Sequence, residues 1–236
     1  AWRLPFLLGG VFGVFALFLR RWLEETPVFL AMKADAALEA GLPLTRVLRD
    51  HRAQIWPSML LTGFLSVGIV TLTLLTPSIL QTQFSYPASD ALEANSIAII
   101  CLTFGCIFWG WLADRIGAYR VLLLGSLALA ASSYVFYHAL PAEVGHTTLL
   151  YSIAGFCLGS VAVVPMILVG LFPPAVRYSG FSFSYNVAYS IFGGFAPMLV
   201  AYWLKSDVLA PAHLLAIVCV FAVAMAVYLP LKEKRP

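Results

Sequence analysis

Charge is the first thing this sequence is short of. Asp, Glu, Lys and Arg make up 11% of its 236 residues, while 61% are hydrophobic. Ordinary soluble domains carry about 25% charged residues, so an ordinary water-soluble domain is excluded. The net charge of +3 is too small to speak for a nucleic-acid partner. Cysteine is scarce too. Cys101, Cys106, Cys157 and Cys219 each lie inside an apolar run with no C-x-x-C pair, which reads as buried free thiols. No H-E-x-x-H occurs, and no Ser or Cys has a His at matching depth in an apolar run. An enzyme is therefore not expected, nor a metal or cofactor. A signal peptide is also missing. The chain opens on Ala1 rather than Met, so it reads as a piece of something longer.

What is present is a series of apolar runs, at residues 4–19, 55–76, 94–113, 121–140, 148–172, 181–204 and 214–231. Each approaches the ~20 residues that a helix needs to cross a bilayer, the first being slightly short. Hydrocarbon offers no water to backbone groups, so the spans should be helices, whose N–H and C=O groups pair internally. The expectation is an all-α integral membrane protein with about seven transmembrane helices. Pro77, Pro173-Pro174 and Pro230 are expected to close the second, fifth and seventh spans.

One long polar stretch covers residues 22–52. There Thr26-Pro27 reads as an N-cap followed by a first-turn proline. A short helix through Val28, Phe29, Met32 and Ala36 is expected to lie along the membrane surface and end near Gly41, with Thr45 capping a further turn. The chain then divides into residues 1–21, the end of a membrane helix, 22–53, a loop with short surface helices, and 54–236, a six-helix bundle.

Basic residues fall unevenly on the two sides of these spans. Arg20, Arg21, Lys33, Arg46, Arg49, Arg52, Arg115, Arg120, Arg177, Lys232, Lys234 and Arg235 share one side, 12 of the 14, leaving Arg3 and Lys205 on the other. By the positive-inside rule the richer side, which includes the C-terminus, is cytoplasmic.

Between the third and fourth spans runs Gly110-Trp111-Leu112-Ala113-Asp114-Arg115-Ile116-Gly117-Ala118-Tyr119-Arg120. So short a linker demands a tight antiparallel hairpin. Gly110 is expected to let backbones approach closely, and Gly117 to take a turn position with φ > 0. This stretch resembles the G-x-L-a-D-r-x-G-r-k signature of the major facilitator superfamily, found between its eighth and ninth helices. Trp2-Arg3-Leu4-Pro5-Phe6-Leu7 and Leu23-Glu24-Glu25-Thr26-Pro27-Val28-Phe29 are similar to the W-R-I-P-F and L-E-E-T-P-x-F segments of its metabolite:proton symporters. Leu171-Phe172-Pro173, Arg177-Tyr178-Ser179-Gly180, Tyr185-Asn186 and Ile191-Phe192-Gly193-Gly194-Phe195-Ala196-Pro197 are similar to later stretches of the same family. Ala118-Tyr119 stands where basic residues are usual, and Gly170 where many relatives carry Glu.

The resemblance implies the end of the sixth helix plus helices seven to twelve, the C-terminal half of a twelve-helix transporter. It further implies proton-coupled import of a small organic acid, such as a dicarboxylate, citrate or shikimate, or of an osmolyte such as proline or betaine. The implied partners are the substrate, protons, the lipid bilayer and the N-terminal half (helices 1–6); the implied place is the bacterial inner membrane. An uncoupled facilitator or an efflux protein of the same superfamily is the alternative.

Candidate site residues follow from spacing. Ser182, Tyr185, Asn186 and Tyr189 fall at i, i+3, i+4 and i+7, hence on one helical face, and Pro197 leaves one carbonyl without its usual donor. Hydroxyls, an amide and aromatic rings suit a small carboxylate, or a quaternary ammonium by cation–π contact. Ser58, Thr62, Ser66 and Thr73 share a face of the second span, where each side chain can instead bond its own i−4 carbonyl. Substrate contact is expected of Thr62, Ser66, Tyr185, Asn186 and Tyr189. Asp114, Arg115, Arg120 and Arg177 are candidates for a cytoplasmic gate. Gly155 and Gly159 form a small-xxx-small packing contact, and Pro165 and Pro197 are candidate hinges. No span carries an ionisable group near its middle, so a proton-coupling residue is expected in the N-terminal half. His138, His146 and His213 read as interfacial.

Overall fold

The computed structural model describes residues 3–22, 43–141 and 146–233. Two compact units divide the chain, one up to Gly41 and one from Leu42. In the first, α1 (Leu4–Arg20) is an apolar helix with Pro5 in its opening turn and Arg20 in its last. Both suit a helix, since proline's missing N–H is not needed there and a cation favours the C-terminal end of the dipole. The surface helix expected around residues 28–36 lies outside the described residues.

The second unit is all helix among its described residues. In order come α2 (Pro43–Asp50), α3 (Arg52–Gln83), α4 (Ala88–Ile116), α5 (Ala118–Ala139), α6 (Thr147–Leu171), α7 (residues 177–203) and α8 (Ala210–Glu233). Thr45 falls inside α2 rather than capping it, because the helix already starts at Pro43. Five helices, α3, α4, α5, α6 and α8, are long and apolar enough to cross a membrane. The other two expected spans differ from these. The apolar part of α1 is shorter, and α7 is long but interrupted by Ser, Tyr and Asn.

α4 and α5 form the tight hairpin. Gly117 joins them at φ 95°, a conformation that costs glycine little and other residues more, and its N–H closes α4 on Ala113 O at 2.9 Å. The close backbone approach expected at Gly110 lies one and a half turns earlier. Gly110 stands in open space, whereas a Cβ on Gly105 would strike the Phe156 carbonyl of α6. Gly155 and Gly159 present the same bare backbone to Ala98 and to Gly105-Cys106. Trp109 then donates its indole N–H to Phe156 O at 3.1 Å. The approach sits where glycines on both helices coincide, and a single-helix pattern does not reveal that register.

α5 packs on α8 and α6, and α3 on α7 and α8, around a core that includes Leu61, Phe64, Leu122, Leu129, Leu158 and Leu168, all fully buried. Pro173-Pro174 follow the end of α6 at Leu171, as expected, while Pro77 and Pro230 behave differently from the sequence reading. α3 does not stop at Pro77; it passes into a π turn over Val70–Leu75 and resumes as α-helix at Thr76, placing Pro77 in a new first turn. Pro230 likewise lies inside α8, which runs to Glu233. In α6 a 3-10 turn, Gly159–Ala162, precedes the segment that opens Val163-Val164-Pro165. Pro165 therefore also sits in a first turn, where its missing N–H costs least. α7 repeats the pattern of α3, with a π turn at Tyr189–Gly193 ahead of Pro197. Short π segments inside α-helices concentrate at functional sites.

Candidate functional site

The two polar stripes foreseen on α3 and α7 meet. A Cβ on Gly63 would lie 3.0 Å from the Phe192 ring, and one on Gly193 would lie 3.5 Å from Ser66 Cβ. The stripes are not alike, however. On α3, Ser58, Thr62 and Ser66 are fully buried. Their hydroxyls turn back on their own helix, Ser58 to Gln54 O at 2.8 Å, Thr62 to Ser58 O at 2.8 Å and Ser66 to Gly63 O at 3.3 Å. Thr73 does the same to Ile69 O at 2.7 Å.

On α7 the stripe is more open. Phe181 stacks on Tyr185 with centroids 5.4 Å apart and planes 15° apart. Tyr185 meets Tyr189 at 5.6 Å, so three rings form a ladder up one face. Asn186 is exposed and donates Nδ2–H to Ser182 O at 2.8 Å, and its amide oxygen accepts from no described group. Ring faces can attract an organic cation, and the amide and phenol groups offer hydrogen bonds. The ladder continues directly into the π turn at Tyr189.

A second polar cluster, which spacing did not reveal, surrounds the π turn of α3. In the π register Leu72 O would look to the N–H of residue 77, and Pro77 has none. Tyr151 of α6 supplies the missing donor to Leu72 O. A hydroxyl has one proton, so the 2.6 Å contact between Tyr151 and the side-chain amide of Asn95 requires that amide's NH2 to donate to the phenol oxygen. Thr76 Oγ1 donates to Thr71 O at 2.9 Å, so the 2.7 Å bond from Tyr137 of α5 runs from phenol to threonine. Phe136 stacks on Tyr151 at 4.9 Å and closes the cluster. Its hydrogen bonds between helices join residues 56 to 79 apart in sequence, too far for a helical period to connect.

The gate candidates sit at the end of the bundle that carries the α4–α5 hairpin and the start of α7. Arg115 lies over the Trp111 ring, 4.1 Å from its centroid. Arg120 reaches Ile116 O at 3.5 Å, and Arg177 donates Nε–H to Phe172 O at 3.2 Å, holding the turn before α7. Asp114 is exposed and pairs with no described residue. The four are not linked to one another by ion pairs among the described residues.

At the other end, His213 of α8 joins Tyr134 of α5 to the α7–α8 turn. Tyr134 and His213 Nδ1 are 2.7 Å apart, and His213 Nε2 is 2.8 Å from Asp207 Oδ2. Asp207 Oδ1 accepts the Leu209 N–H at 2.8 Å. That backbone N–H, followed by His213, holds the Asp207 carboxyl below the usual carboxylate range. Near this end a cavity of about 360 Å³ opens between α3 and α7.

A helical bundle with broken, proline-bearing helices and an open aromatic-amide stripe is the build of a membrane transporter domain. Residues 1–197 match the model of the Major Facilitator Superfamily. The chain belongs to that superfamily. It is 32% identical over 235 residues to a Staphylococcus aureus (strain COL) protein assigned provisionally as a proline/betaine transporter, covering 98% of this chain and 50% of that one. It is 28% identical over 255 residues to the glycine betaine/proline/ectoine/pipecolic acid transporter OusA of Dickeya dadantii (strain 3937), covering 100% and 49%. With the ectoine/proline transporter ProP of Corynebacterium glutamicum it shares 26% over 217 residues, 86% and 43%. The chain thus spans about half the length of the curated relatives it matches.

Proposed function

We propose that this chain is the C-terminal half of a secondary transporter that imports a small zwitterionic osmolyte of the proline or betaine kind. The observation that carries the reading is the α7 ladder, Tyr185 and Tyr189 with Asn186 beside them, half-open in a chain whose relatives are named for proline, betaine and ectoine. Aromatic faces receive the cationic end of such a solute, and amide and hydroxyl groups its polar remainder. Ser66 and Thr62 back this surface from α3 rather than lining it, since their hydroxyls are buried and bonded to their own helix.

In this reading transport proceeds by alternating access, with the N-terminal half closing against the α3 and α7 faces and protons entering through that half. The broken helices α3, α6 and α7 supply the flexible points, at Pro165 and Pro197 among others. Asp114, Arg115, Arg120 and Arg177 form the cytoplasmic rim in a bacterial inner membrane. The C-terminus lies on the same side, as the distribution of Lys and Arg supports. Residues 22–53 are the loop between the halves.

Uptake by the full-length protein in proteoliposomes tests this. The panel is proline, betaine, ectoine, shikimate, a dicarboxylate and citrate, each with and without an imposed pH gradient. Accumulation of proline or betaine driven by the gradient is expected. Accumulation of the acids alone would overturn the osmolyte reading. Downhill flux indifferent to the gradient would replace the symporter by a facilitator.

A further inference from the structure

On its α3 side the cavity between α3 and α7 mixes polar groups with the apolar Leu75 and Ile79, and its α7 side is apolar up to Lys205. Ser78, Thr82 and Gln83 come from α3 beyond its π turn; Val200 and Leu204 come from α7 beyond Pro197. Among the described residues Lys205 is the only charged one that lines it. Its volume of about 360 Å³ is within the range of small-ligand pockets, about 300–1,000 Å³.

Lys205 forms no ion pair with any described residue. The reason is visible in the turn. The carboxylate nearest in sequence, Asp207, has both oxygens engaged, one with the Leu209 N–H and the other with His213, and Tyr134 fixes that histidine from α5. The turn therefore holds its own anion in a separate set of bonds and leaves the exposed Lys205 ammonium at the cavity with no ion-pair partner among the described residues. Ser78 and Gln83 side chains likewise donate to no described group. Among the described residues no aromatic ring and no carboxylate lines the cavity, so these offer nothing to attract a quaternary ammonium. Its chemistry is that of an anion acceptor with an apolar floor. In the sidedness of the sequence Lys205 is also one of only two basic residues on the outer face, where positive charge is otherwise avoided.

We propose that this cavity is an outer subsite for the carboxylate of a small solute, with Lys205 as its anchor and Ser78 and Gln83 as hydrogen-bond donors. The subsite rests on the transport reading above and adds to it a division of labour. Tyr189 stands 16 residues before Lys205, about 24 Å of helix, so the two serve in succession. The solute's carboxylate is taken first at the α3–α7 cavity, and its cationic end meets the aromatic ladder of α7 in a later step.

The test uses the full-length protein freed of its native cysteines and carrying Ala201→Cys on the cavity wall, with Thr82→Cys as a second reporter. The rate of labelling by a maleimide is read with and without acetate or L-proline. Both solutes should slow labelling severalfold. Lys205→Met should abolish the protection and Lys205→Arg should keep it, because only charge-assisted bonding distinguishes the two. In uptake, Lys205→Met should raise the apparent KM about tenfold, the loss of about 1.4 kcal/mol, with maximal rate changed less than twofold. Equal protection in Lys205→Met, or none in either parent at saturating acetate, overturns the subsite. Lower stability with unchanged KM and protection would reduce Lys205 to a cation at the α7 C-terminus. Protection without uptake of any osmolyte would instead sink the transport reading and leave the subsite standing.

Discussion

α3 and α7 are built to one plan and finished differently. Each shifts once from α to π register, and each carries a proline just beyond the shift. In α3 the consequences are answered from outside the helix. Tyr151 donates to the carbonyl that Pro77 leaves, Tyr137 bonds Thr76, and Asn95 completes the set. In α7, no side chain from another helix donates to the Gly193 carbonyl left by Pro197, among the described residues. Its aromatic face is half-open, where the matching positions of α3 are fully buried. A buried carbonyl without a partner is costly, so a π turn inside the packed bundle needs donors built around it. A π turn on an open face can leave that capacity to a ligand. One turn is part of the frame, and the other is available for work.

The largest expected effect concerns the frame. Tyr151→Phe strips the donor from Leu72 O while keeping ring volume, and should destabilise the purified protein by roughly 1–3 kcal/mol in denaturant unfolding. Tyr137→Phe should cost less, about 0.5–1.5 kcal/mol, because Thr76 still satisfies Thr71 O. If both behave like surface substitutions, within about 0.5 kcal/mol, the contrast between the two helices collapses.

Asn186→Ala on α7 should do the reverse. Stability should change by less than about 0.5 kcal/mol, as at an exposed site, while the apparent affinity for proline or betaine falls severalfold in initial-rate uptake. Wild-type kinetics in Asn186→Ala and in Tyr189→Phe alike would make the open face structural.

The smallest effect sharpens the contrast at the C-terminal end of α7. The Asp207 carboxyl is held below its usual 3.8 by the Leu209 N–H and then by His213. Its contribution to stability is thus full above that value and fades as pH falls through it toward the lowered one. Thermal unfolding of Asp207→Asn should fall below wild type at pH 7, and the gap should narrow as pH falls below 3.8. A gap that persists at low pH would show that the carboxylate is not what fastens this turn.

Much of the architecture was legible in the residues. The runs of apolar side chains correspond to helices because hydrocarbon leaves backbone groups no alternative partner. Gly117 was readable as the hairpin turn, and Ser182, Tyr185, Asn186 and Tyr189 as one face of a helix, because both are local consequences of backbone geometry. Less local features were not. Pro77 and Pro230 read as stops, yet both helices continue, since a π turn or a favourable helix environment absorbs a missing donor. The glycine contact expected at Gly110 falls at Gly105, because the register between two helices depends on both surfaces together.

By itself, then, the order of residues determined a membrane-spanning helical chain of the major facilitator kind, its hairpin and its polar helix. Those depend on hydrophobic length, on helical period and on the φ that glycine permits. Only the tertiary structure decided that Tyr137, Tyr151 and Asn95 converge on one π turn, that Asp207 belongs to His213 rather than to Lys205, and that the α3 stripe is buried while the α7 stripe is open. Each of these joins groups from different helices, and hydrogen bonds act over about 3 Å, a distance that sequence separation does not measure.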